Sequence, residues 1–103
     1  MAAPMRIRAQ AQGGNAIVRV LMMHEMESGF RKDASGKTIR AWHITEVSAQ
    51  HNGKTVLTAQ YGPAVAKNPL VQFVVKGAKA GDRISVTWID SQGDKRTDEA
   101  VVG

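Results

Sequence analysis

Hydrophobic and polar positions alternate with a period of two along most of the chain, and no segment carries a convincing 3.6-residue period. Residues 5–11 alternate around Ile7, Ala9 and Ala11, and residues 16–24 form a second apolar stretch. Residues 43–51 and 54–61 flank Asn52-Gly53, a strong hairpin signal because both turn positions need positive φ. Asn68-Pro69 opens a strand at 70–76, residues 77–81 turn, and residues 82–90 place Ile84, Val86 and Trp88 on one face. Residues 91–94 turn into a last strand at 95–102. The pattern predicts seven short strands in an all-β fold, an immunoglobulin-like antiparallel β-sandwich occupying residues 1–103 as one domain. The predicted core is Val18, Val20, Val71, Phe73, Val86 and Trp88, with Trp88 at its centre.

Two strands are apolar on both sides, although an antiparallel sandwich requires only one buried face. The second strand puts Val18, Val20 and Met22 on one face, and Ile17, Leu21 and Met23 on the other with Arg19. The fifth puts Val71, Phe73 and Val75 on one face, and Leu70 and Val74 on the other with Gln72. Second and fifth strands are neighbours in this topology, so their outer faces are expected to form one contiguous apolar patch. Such a patch marks a partner surface, here Ile17, Leu21, Met23, Leu70 and Val74, unless a loop or terminus of the chain covers it.

The connection at 24–42 exceeds the length that compact domains usually leave without structure. Residues 31–37 read as a tight polar turn with Asp33 and Gly36 supplying the turn chemistry. Met26, Phe30, Ile39 and Trp42 are expected to pin it to the body. An anchored, charged loop presents side chains for docking; the candidates are His24, Glu27, Arg31, Lys32 and Asp33, with the two acids holding the two bases.

Charge and composition narrow the chemistry. Fourteen Lys and Arg against nine Asp and Glu give +5, but both halves of the chain hold seven basic residues and no basic block forms. The expectation is a solvated surface and no nucleic-acid partner. With no Cys, disulfides, thiolate metal sites, iron–sulfur clusters and Cys nucleophiles are excluded within these residues. His24, His43 and His51 are spaced 19 and 8 apart, unlike a zinc site, and the five Met suit packing better than soft-metal binding. No Ser lies in a nucleophile elbow, and Gly13-Gly14 is followed by no helix that could cradle phosphate. No catalytic residue, metal or cofactor is expected. No window approaches the roughly 18 apolar residues of a membrane helix, and the first residues lack a signal-peptide core.

The long connection carries a resemblance. The run from 24 to 39, His-Glu-Met-Glu-Ser-Gly-Phe-Arg-Lys-Asp-Ala-Ser-Gly-Lys-Thr-Ile, resembles the His-x-Met-Glu-Ser-Gly-x-Arg-Lys-Asp-x-x-Gly-x-x-Ile signature of the SoxZ family. Asn52-Gly53-Lys54, Asn68-Pro69-Leu70-Val71-Gln72-Phe73 and Val86-Thr87-Trp88-Ile89-Asp90 with Gly93 are similar to further family segments, in order. Arg40-Ala41-Trp42 stands where the family commonly has Pro-Arg, and His51 where an aromatic residue often precedes the hairpin. The resemblance implies an immunoglobulin-like, non-catalytic subunit of a sulfur-carrier complex in bacterial thiosulfate oxidation. It implies a heterodimer with SoxY, whose C-terminal Cys carries covalent sulfur intermediates, and transient docking with other Sox enzymes. A periplasmic location, reached by co-export with SoxY, follows from the same resemblance. The isolated chain is expected to be able to form a homodimer. The alternatives are an unrelated immunoglobulin-like scaffold module and a small basic nucleic-acid binder.

Overall fold

Seven strands form in the order the alternation requires: β1 (Arg6–Gln12), β2 (Asn15–Leu21), β3 (Ile44–His51), β4 (Lys54–Gln60), β5 (Leu70–Lys76), β6 (Arg83–Asp90) and β7 (Lys95–Val101). The computed structural model describes residues 3–103. All strand pairs are antiparallel, in a three-stranded sheet β1-β2-β5 and a four-stranded sheet β4-β3-β6-β7. The fold is the expected β-sandwich.

Turn chemistry sets the registers. Asn52 and Gly53 both take positive φ, 49° and 86°, so the β3–β4 hairpin closes in two residues. Gly13 and Gly14 do the same between β1 and β2, at 59° and 83°. The core lies between the sheets: Val18, Val20, Ile44, Val47, Ile84, Val86 and Trp88 are all essentially inaccessible.

Three expectations need correction. Val71 and Phe73 face inward but are only half-buried, because β5 is an edge strand; the deeper β5 residue is Val75. The second strand ends at Leu21 rather than 24, since the chain leaves the sheet as the His24 side chain turns toward the end of β6. Phe30 does not pin the long connection: it is 83% exposed, while Met26 is buried and Ile39 and Trp42 half-buried. Residues 30–38 are all exposed and stand off the sandwich. The chain measures 53 × 21 × 20 Å with a radius of gyration of 15.4 Å, above the ~13 Å of a compact chain this long.

Candidate partner-binding surfaces

The root of the long connection is built around one carboxylate. Asp90, the last residue of β6, is 3% exposed. Its Oδ2 accepts from His24 Nε2 at 3.0 Å and Trp42 Nε1 at 2.8 Å. Its Oδ1 accepts from the amides of Gln92 and Asp94 at 3.0 and 2.9 Å. The Met26 amide donates to His24 Nδ1 at 3.1 Å, which fixes the tautomer with the hydrogen on Nε2. Burial works to raise the Asp90 pKa, but the hydrogen bonds from His24, Trp42 and the two amides outweigh it and hold the group below its ordinary value. The His24 ring meets the edge of Trp88 at 5.1 Å and lies 5.1 Å from Trp42. Two ends of the connection are thus tied to one strand end.

His24 was expected among the docking side chains; it is instead 5% exposed and committed to Asp90. The Trp88 indole nitrogen has no hydrogen-bond partner among the described residues.

Beyond the root, the chain pairs with itself. Glu27 and Trp42 exchange backbone hydrogen bonds, and Arg31–Ile39 and Asp33–Lys37 bonds continue toward a tip. Arg31 donates to Glu27 through Nη2 at 2.5 Å and Nε at 3.2 Å, a two-point pairing that lowers the Glu27 pKa and raises that of Arg31. Asp33 does not hold Lys32. Its Oδ1 accepts from the Ser35 amide, the Ser35 hydroxyl and the Lys37 amide, because a short acid at a turn start satisfies its own loop first. Those hydrogen bonds, led by the Ser35 hydroxyl, lower its pKa. Lys32 is left exposed, as is the Phe30 ring.

The outer face of β1-β2-β5 is a stack of cross-strand rows. Arg6, Leu21 and Leu70 are register partners, as are Arg8, Arg19 and Gln72, and then Gln10, Ile17 and Val74. Leu70 and Val74 are 67% and 57% exposed, whereas Ile17 and Leu21 are half-buried. The patch is therefore two apolar rows, divided by Arg19 Nε donating to Gln72 Oε1 at 2.9 Å. Met23 lies past the end of β2 and lines a recess of about 300 Å³ with His24, Trp42, Lys67 and Trp88. Arg6 and Arg8 were not singled out from the sequence, although the inward positions of Ile7 and Ala9 already set them outward.

Among the described residues no three His, Asp or Glu side chains converge to hold a metal ion. His51 instead pairs with Asp82 at 2.7 Å, and this hydrogen bond, with one from the Lys79 amide, lowers the Asp82 pKa to about 2. None of the curated proteins matches the chain. Among protein families, the one described as sulphur oxidation protein SoxZ matches residues 5–101.

Proposed function

Because this chain belongs to the SoxZ family of sulphur oxidation proteins, we propose that it serves sulfur oxidation as the non-catalytic half of a carrier complex with SoxY. The partner supplies the Cys that carries sulfur covalently; these 103 residues contain no thiol. The complex works in the periplasm, where the chain arrives together with SoxY. The observation that carries the pairing is the outward face of β2 and β5, where Leu70 and Val74 stay open to solvent beside Ile17 and Leu21. An apolar surface of this kind is stable in water only at a cost that burial against a partner removes.

The projecting segment has a second role in the same assembly. Arg31, a largely exposed side chain whose Nε and Nη2 are braced by Glu27, and exposed Lys32 offer docking enzymes a cationic edge at a fixed place.

The decisive experiment is co-purification with tagged SoxY. Leu21→Glu leaves the domain folded by circular dichroism and abolishes capture. Capture at the wild-type level overturns the assignment of this face. Arg31→Ala leaves assembly intact and slows thiosulfate turnover in a reconstituted system, most at low salt; unchanged turnover overturns the docking role.

A further inference from the structure

The polar row that divides the apolar face is itself unusual. Arg8 and Arg19 are direct cross-strand partners, and Arg6 lies two residues along on the same face. Like charges directly opposite on neighbouring strands repel, so sheets normally avoid the arrangement. All three side chains are exposed, and among the described residues none is ion-paired with a carboxylate. Glu99 lines the same groove as these arginines, Leu21 and Leu70, but pairs with Arg83 instead, at 3.9 Å. Arg19 is held by Gln72 through Nε, which leaves its Nη atoms available to an outside acceptor.

We infer that the Arg6–Arg8–Arg19 cluster makes this face select a partner whose own surface carries carboxylates between apolar side chains, and reject a second copy of this chain. The inference rests on the reading of this face as the SoxY-docking surface and adds what that surface must look like. Charge complementarity gives the occupant. The two apolar rows need apolar cover, and the row between them needs acid. A two-fold pairing of this face with itself brings the same patch from both copies together. That contact would bury six guanidinium groups against only the two Glu99 carboxylates that line the same groove and already face Arg83, which is a repulsive device against the homodimer that the apolar rows alone would favour. In the partner complex the same groups become two-point Arg–carboxylate contacts that fix register and speed encounter.

The test uses the full chain with SoxY, and the chain alone. Wild-type affinity for SoxY should weaken about tenfold or more between low and high salt, and the double variant R8Q/R19Q should bind more weakly at low salt and lose most of that dependence. Arg40→Gln, an exposed basic residue on the projecting segment, keeps the wild-type salt slope. By sedimentation, the isolated wild type is monomeric, R8Q/R19Q self-associates, and adding Leu21→Glu returns it to monomer. A wild-type salt slope in R8Q/R19Q overturns the inference. So does an isolated wild type that dimerises and is made monomeric by Leu21→Glu. If Leu21→Glu abolishes SoxY capture while R8Q/R19Q binds as wild type, acidic recognition alone fails and the docking face stands. If Leu21→Glu captures SoxY normally, the docking face fails, and self-association of R8Q/R19Q still decides whether the arginines repel a second copy.

Discussion

The four hydrogen bonds on the Asp90 carboxylate come from both ends of the long connection and from the β6–β7 turn. An acid is required there because every neighbour is a donor. Asp90→Asn would point an NH2 group either at His24 Nε2–H and Trp42 Nε1–H or, flipped, at the Gln92 and Asp94 amides, and leave buried donors unmet. The expected loss is about 2–4 kcal/mol in a denaturant titration. Trp88, 1% exposed, shows the opposite economy. Trp88→Ala should cost about 3–5 kcal/mol through the cavity it leaves. Trp88→Phe should cost clearly less, because the indole N–H that it removes has no partner among the described residues. A loss below about 1 kcal/mol for Trp88→Ala would contradict its place at the centre of the core.

Among the elements, the projecting segment depends on one backbone position. Gly29 has φ +90°, and a Cβ there would meet the Ala41 Cβ at 3.0 Å. Gly29→Ala must therefore strain the backbone and push the two limbs apart, at about 1–3 kcal/mol. Hydrogen exchange locates the damage: the Glu27 and Trp42 amides, which donate across the limbs, should exchange faster, while Val86 in β6 keeps its protection. Equal acceleration at Val86 would mean that the segment and the sandwich open together. The same separation explains why residues 30–38 can be polar and exposed without weakening the core.

The whole molecule is fastened by carboxylates at several points. Asp98 accepts from the Met5 amide and pairs with Arg96, joining the start of β1 to β7. Asp82 joins the β3–β4 hairpin to the turn before β6. Asp82, Asp90 and Asp98 all titrate below their ordinary value when folded, Asp82 at about 2. In that pH range the unfolded chain binds more protons than the folded one, so acid favours unfolding. Stability is fully present above the ordinary carboxyl value near 4 and falls as pH drops toward 2. Denaturant midpoints should decline as pH falls below about 4, and Asp82→Asn should flatten the lower part of that decline. An unchanged acid profile in Asp82→Asn would show that the His51 contact carries no linkage.

Period-two alternation, Gly and Asn at the turns and the inward run Ile84, Val86, Trp88 determined seven strands and their facing, because strand geometry fixes which side chains share a side. The same alternation gave the outward apolar positions of β2 and β5, and the run at 24–39 carried the family resemblance that the match over 5–101 bears out. Local pattern could not say what lies across a strand or beyond a turn. That Leu21 meets Leu70 while Arg8 meets Arg19 is a matter of register between segments far apart in sequence. That His24 is an anchor rather than a docking side chain depends on Asp90, 66 residues away. Half-burial of Val71 and Phe73 follows from β5 standing at a sheet edge. Sequence set the direction of each side chain relative to its own backbone; only the packing of distant segments decided what each one touches.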